Sequence, residues 1–171
     1  MGYTTEFTGC LKANKEIPKE LKEYVNQFSY HRHMKRNADG CRALIKAGFG
    51  ICYNDNVGTD GEYYLNMDNA FGQCKDITII DYNHPGGDCP GLWCNWIIND
   101  NDELVWSGAE KFYDYTKWLD YLIKHFFAPN GIVWNGTFDW QGEDEEDTGT
   151  IIVDDNDIFI AKEKRIECEE E

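Results

Sequence analysis

The stretch Ile132-Val133-Trp134-Asn135-Gly136-Thr137-Phe138-Asp139-Trp140-Gln141 decides how the sheet is built. Its central Asn-Gly pair is the strongest short-range signal for a two-residue hairpin turn. The alternation of side chains points the other way. Ile132, Trp134, Gly136, Phe138 and Trp140 fall on one face, and Val133, Asn135, Thr137, Asp139 and Gln141 on the other. A two-residue turn would set Trp134 opposite Thr137 and Val133 opposite Phe138, mixing faces that a half-buried sheet must keep apart. One long strand over 132–140, passing through Gly136 with room for a bulge, keeps them apart.

Toward the C-terminus, strands near Thr150–Val153 and Asp157–Lys162 flank a turn at Asp154-Asp155-Asn156, and the acidic tail from about 166 reads as frayed. Toward the N-terminus, Pro129 and Gly131 end a helix with the stripe Phe112, Tyr115, Leu119, Leu122 and Phe126, and Ser107-Gly108-Ala109-Glu110 reads as its capping box. Leu92–Ile98 and Leu104–Trp106 read as a hairpin about Asn99-Asp100-Asn101-Asp102, with Cys94 facing the core. Tyr63, Leu65 and Met67 alternate as a strand does. Asp76–Tyr82 is β-branched and bounded by turns, and Asn83-His84-Pro85-Gly86-Gly87 is loop chemistry. Residues 37–61, rich in Gly, Asn and Asp, read mostly as loop. Pro18 opens a helix that runs to about Ser29 on Leu21, Tyr24, Val25 and Phe28, and residues 3–11 alternate as a half-buried strand. Short links between strands favour antiparallel pairing. The expected fold class is α+β, a mostly antiparallel β-sheet with two α-helices packed on one face, forming a single domain over 1–171.

Composition bounds the rest. Apolar residues make up 42% of the 171 and aromatics 15%, enough to offset the entropy of ordering the chain. No stretch approaches the ~20 apolar residues of a membrane span, and Met1–Glu6 carries no signal-peptide pattern, so a cytoplasmic protein is expected. The seven cysteines are odd in number and irregular in spacing, the pattern of free thiols and not of a disulfide framework. Charge is unevenly spread. Residues 1–50 hold nine Lys/Arg against five Asp/Glu, a net of +4. Residues 51–171 hold seven against 27, a net of −20, which together give the overall −16. Such a field repels nucleic acid and membrane surfaces and attracts basic proteins.

Several constellations bear on chemistry. His31-x-His33 and Cys89-x4-Cys94 each offer two metal ligands, but neither has the tight paired spacing of a zinc site. Asn54–Glu62 and Asp154–Asp157 do not fit the calcium loop. No metal and no cofactor is therefore expected. The chain lacks G-x-S-x-G, P-loop and G-x-G-x-x-G motifs. Asp81, Asn83 and His84 stand where a strand enters a Gly/Pro loop, a place suited to an acid–base pair, and equally suited to side chains that cap a turn. Arg32, Lys35 and Arg36 form a basic run that can hold an anion or lend positive charge to the end of the first helix. Trp134, Phe138 and Trp140 at period two read as sheet core before they read as a stacking cleft.

Several segments carry a family resemblance: Gly2-Tyr3-Thr4-Thr5-Glu6-Phe7-Thr8-Gly9, Met34-Lys35-Arg36, Ile79-Ile80-Asp81-Tyr82-Asn83, Pro90-Gly91-Leu92-Trp93-Cys94, Glu110-Lys111-Phe112-Tyr113, Trp118-Leu119, Tyr121-Leu122-Ile123, Asn135-Gly136 and Trp140-Gln141-Gly142-Glu143-Asp144. Together, over nearly the whole chain, they resemble a family of small acidic conserved proteins of bacteria and bacteriophages. The resemblance implies a bacterial or phage setting and brings no catalytic residue with it. It leads one to expect a thiol at Cys94 alone, and the other six depart from it.

The leading functional expectation is a non-enzymatic binding protein. Its acidic residues Asp139, Glu143, Asp144, Glu145, Glu146, Asp147, Asp154, Asp155 and Asp157 would engage a basic partner, such as a nucleic-acid-binding protein of the host or of its defence systems, by imitating phosphate spacing. The alternative is a small enzyme or ligand-binding domain with a site at Asp81, Asn83 and His84 beside the basic segment 31–36. A third is an intracellular adaptor whose charge serves solubility.

Overall fold

The computed structural model describes residues 2–67 and 71–162. Its main sheet has six strands in the order β4-β5-β1-β6-β7-β8: β1 (Glu6–Ala13), β4 (Trp96–Ile98), β5 (Glu103–Trp106), β6 (Trp134–Gln141), β7 (Thr148–Asp154) and β8 (Asp157–Lys162). Every pairing in it is antiparallel. Two short strands, β2 (Lys35–Arg36) and β3 (Ile79–Asp81), form a separate antiparallel pair. Among the described residues three α-helices complete the fold: α1 (Lys19–Phe28), α2 (Ala38–Lys46) and α3 (Tyr115–Leu122). The architecture is α+β with a largely antiparallel sheet. No helix among the described residues is long and apolar enough to cross a membrane.

The decisive stretch is one strand. β6 runs unbroken through Asn135-Gly136 and pairs with β1 from Glu6↔Gln141 to Ala13↔Trp134 without a shift in register. The expected alternation holds: Trp134, Phe138 and Trp140 are buried, while Asn135, Thr137 and Asp139 face solvent. One face of the sheet, with Phe7, Leu11, Trp96, Leu104, Phe138 and Ile151, packs into a single core with Leu21, Val25 and Phe28 of α1 and Trp118, Leu119 and Leu122 of α3. Phe7 sits at the centre of an aromatic cluster, edge-on to Trp96, Trp106, Phe112 and Tyr115 at centroid distances of 4.8–5.9 Å. The β7–β8 hairpin, the buried Cys94 and the Gly131 stop after α3 fall where the sequence places them, and the β4–β5 hairpin forms about its expected turn, although β4 begins at Trp96 and not at Leu92.

Five local expectations are corrected. The segment 37–61, read as loop, contains α2. Asn37 caps that helix by accepting from the Gly40 N–H at 2.7 Å, and only Cys41 on it is buried, so its apolar periodicity is thin. Tyr63, Leu65 and Met67 do not form a strand: Leu65 makes one bridge to Ile51, and both Tyr64 and Leu65 are buried. Asp76–Tyr82 contributes only three strand residues, because Ile77 and Ile80 project into solvent. The capping box at Ser107–Glu110 does not start a helix. Its serine accepts from the Ala109 N–H, the chain takes positive φ at Gly108, Lys111 and Asp114, and α3 begins only at Tyr115. Burying Phe112 against Phe7 and Trp96 is what holds this detour in place. The first strand starts at Glu6, not at residue 3. The tail read as frayed lies outside the described residues.

Beyond Leu122, α3 widens into a π-helical turn over Ile123–Phe127. The wider turn buries Phe126 and Phe127 together while leaving His125 partly open to solvent. Such insertions are frequent at functional sites.

Candidate functional site

Two clefts open beside α3, and the segment 83–95 borders both. The first measures ≈ 670 Å³ and lies between this segment, the irregular chain at 109–114 and the start of α3. Its walls are largely apolar and aromatic, with Leu92, Trp93, Tyr113 and Trp118 among them. Trp118 is fully buried, and its indole N–H has no hydrogen-bond partner among the described residues. A buried donor left unpaired costs roughly 1–3 kcal/mol, so its position asks for an explanation. The N–H lies beside Gly91, where an added Cβ would come within 3.7 Å of it. Trp134 also lacks a partner for its indole N–H among the described residues, but it lines neither of these two clefts.

Asn83 and Pro85 bring the sequence-predicted acid–base residues to the rim of this cleft. Asp81 accepts the Asn83 N–H at 3.0 Å and meets His84 Nδ1 at 2.8 Å. The backbone N–H of Asn83, followed by the histidine, holds the Asp81 carboxyl below its ordinary value against a smaller opposing effect of desolvation. Arg32 donates to the Tyr82 carbonyl from Nε and Nη2 and to Asn83 Oδ1 from Nη2, and its guanidinium stacks over the Tyr82 ring at 4.3 Å. Thus Arg32, Asp81, Asn83 and His84 are gathered together. Lys35 joins them through the backbone, its N–H donating to the His84 carbonyl. Arg36 goes elsewhere: it is buried, donates to Asp76 and Thr78 at 2.8 Å and packs over the Tyr64 ring.

The histidines of the basic run serve α1. His33 Nε2 lies 2.7 Å from the Phe28 carbonyl and His31 Nδ1 lies 2.6 Å from the Gln27 carbonyl. A carbonyl only accepts, so each of these nitrogens carries its proton and satisfies an orphan group at the helix end. Burial pushes His33 down to about 3. Hydrogen bonds, and not positive charge at His33, therefore complete the helix end. Cys89 and Cys94 are both buried, and desolvation raises both thiols, Cys94 to about 12, so they stay protonated.

The second cleft, of ≈ 630 Å³, opens between α3 and its π turn, Asp88 and Pro90, and the β7–β8 turn with the start of β8. At its inner end stand residues from three distant segments: Glu62, Asp88 and His125 have ligand atoms within 4.8 Å of one another. Glu62 is buried and accepts from the Thr59 N–H at 3.0 Å, the Asp88 N–H at 3.1 Å and the Tyr121 hydroxyl at 2.9 Å. Gly87 (φ +56°) has to be glycine here, because a Cβ would fall 2.4–2.6 Å from the Glu62 carboxyl atoms. Tyr63 Oη meets His125 Nδ1 at 2.5 Å, and the Tyr121 ring stacks on the imidazole at 4.1 Å. Desolvation, then the Glu62 charge, push the Tyr63 hydroxyl up to about 12, so it stays protonated. Pairwise sequence spacing carries no sign of this group. The one local signal is an ionisable residue, His125, set between the apolar stripe positions Leu122 and Phe126.

The acidic residues singled out from the sequence divide between the two ends of β7, whose length is about 20 Å. At one end, Glu143 accepts the Thr4 N–H, and Asp147 accepts from the Tyr3 hydroxyl and the Trp140 indole, which hold its carboxyl low. Asp144, Glu145 and Glu146 are exposed on the same turn. At the other end, Asp155 exchanges hydrogen bonds with Asn135, and Asp154 and Asp157 are exposed. Asp139 lies between them on the open face of the sheet and accepts from Thr150. No family model, curated protein or solved structure matches this chain.

Proposed function

We propose that the protein binds a small, flat, mostly apolar molecule in the cleft beside Trp118, with a carbonyl oxygen of the ligand accepting the buried indole N–H. The observation that carries this reading is an aromatic-lined cavity whose wall includes Trp118, with the unpaired indole N–H buried just behind it, so that a small displacement of the Gly91 segment brings it to the ligand. Cavities of this size, mainly apolar and with few convergent polar groups, are the usual form of a small-molecule site. Trp93 and Tyr113 supply faces for stacking, Asn83 and Asp114 supply polar atoms at the rim, and Arg32 fixes Asn83 from behind.

The test is tryptophan fluorescence and thermal shift with planar carbonyl compounds, nicotinamide and guanosine among them. Binding should raise the melting temperature in a concentration-dependent way. Trp118→Phe, which keeps the shape and removes the donor, should weaken binding by about three- to tenfold. Gly91→Val, which fills the cavity beside the indole, should abolish it. If no compound of this class binds, or if binding survives Gly91→Val unchanged, the reading is wrong.

A second reading keeps the acidic surface. Its support is the turn after β6, where Asp144, Glu145 and Glu146 stand exposed together within residues 51–171, which carry a net charge of −20. A basic, nucleic-acid-binding protein is the partner this chemistry selects. Such a partner captured on the immobilised chain should elute with rising salt and be lost from a Glu145→Lys/Glu146→Lys variant. Retention by that variant would remove the reading.

A further inference from the structure

We propose that Glu62, Asp88 and His125 form a binding site for a divalent transition-metal cation at the inner end of the second cleft. The three side chains come from the end of the 3-10 turn Thr59–Gly61, from the loop bordering α3 and from the π turn, and their donor atoms converge within 4.8 Å.

Three independent features of the geometry support a cation. The first is distance. His125 Nε2 and Asp88 Oδ2 lie 3.6 Å apart, too far for a hydrogen bond. Two ligands on a tetrahedral ion with bonds of about 2.1 Å stand about 3.4 Å apart, close to what is found. The second is charge. Glu62 is buried, and N–H and O–H donors reach both of its oxygens. Yet among the described residues no ion pair includes it. A buried carboxylate calls for a compensating positive charge, and a metal ion beside it supplies one. The third is orientation. Tyr63 holds the far nitrogen of His125 and Tyr121 stacks on its ring, so Nε2 is aimed at the carboxylates. Metal-bound histidines are oriented in this way by a hydrogen bond at the second nitrogen. In the bound form Nδ1–H donates to the Tyr63 oxygen and Nε2 gives its lone pair to the ion.

One imidazole and two carboxylates suit zinc, cobalt or manganese. Asp88 is 78% exposed and free to turn, so closing the remaining gap requires no change in the core. Three protein donors leave at least one coordination position facing the cleft, as in zinc sites that hold a water or a substrate.

The experiment uses Co²⁺ with the full chain, followed by absorption spectroscopy and calorimetric titration. The expected result is one equivalent bound, with ligand-field bands in the visible and no thiolate charge-transfer band in the near ultraviolet. His125→Gln and Asp88→Asn should each weaken binding by more than about tenfold, and Tyr63→Phe by about 10–100-fold. The exposed Asp88 side chain makes Asp88→Asn the variant that leaves the metal-free fold intact, which its thermal unfolding verifies. A thiolate band would place the metal on the cysteines and overturn the proposal. So would the absence of saturable binding, or equal affinity in Asp88→Asn and the parent. The ligand-binding reading concerns the other cleft, so failure of one leaves the other standing.

Discussion

Gly136 shows how much one residue can decide. Asn135-Gly136 looks like a turn, yet the glycine is there because β1 and β6 approach too closely for a side chain. At φ +150° its missing Cβ would sit 2.4 Å from the Cys10 carbonyl oxygen and 3.0 Å from the Leu11 Cα. Gly9, on the facing strand, has the same reason: a Cβ there would lie 2.4 Å from the Thr137 carbonyl. Two glycines answering each other across one strand pair are legible as such only once the register is known. Gly136→Ala therefore combines backbone strain with a backbone clash. It should destabilise the protein by about 2–3 kcal/mol in urea or guanidinium unfolding, well above the cost of a surface change. A loss below about 0.5 kcal/mol would mean that β1 and β6 can move apart, and that the close approach is not what the glycine serves.

At the scale of elements, what the sequence reveals depends on how strongly each element patterns its side chains. β6, β7, α1 and the β4–β5 hairpin bury one face, so their periods are plain in the chain. α2 buries only Cys41, and β2–β3 is a two- and three-residue pair, so neither leaves a period to read. Its two polar helpers, Asn37 for α2 and Arg36 for the segment at Asp76–Thr78, look like loop residues until their partners are seen. The candidate sites follow the same rule. Asp81, Asn83 and His84 stand close together in sequence and can be read from it, whereas Glu62, Asp88 and His125 meet only through the packing of α3, and the unpaired N–H of Trp118 shows only in the packed fold. The end of α1 yields a pH test. His33 is neutral in the folded protein, pushed by burial from the ordinary 6.5 to about 3, while the unfolded chain protonates near 6.5. Its contribution is fully present above pH 6.5 and is lost progressively as pH falls toward 3, at up to about 1.4 kcal/mol per pH unit. In His33→Gln, whose amide can still donate to the Phe28 carbonyl, stability between pH 6.5 and 5 should fall by about one proton's worth less than in the parent. Parallel curves would show that His33 takes up its proton without unfolding the helix end.

For the molecule as a whole, the charge asymmetry has a structural address. The acidic part, residues 51–171, contains β3–β8 and α3, and eight of its carboxylates gather at the two ends of the β6–β7–β8 meander, Glu143 to Asp147 at one and Asp154, Asp155 and Asp157 at the other, while the sheet's inner face stays aromatic. The order of the strands carries a further consequence. β1 lies in the middle of the main sheet, with Leu11 against Leu104 on one side and Glu6 against Gln141 on the other. The ribosome completes β1 long before either neighbour exists, so its hydrophobic face has nothing in the sheet to close against until most of the chain has emerged. Contacts of such high sequence separation must meet the entropy of closing long loops before they are rewarded, which slows folding. Assembly of this sheet is therefore a late and concerted event, and until it happens Phe7 and Leu11 are unprotected hydrophobic surface.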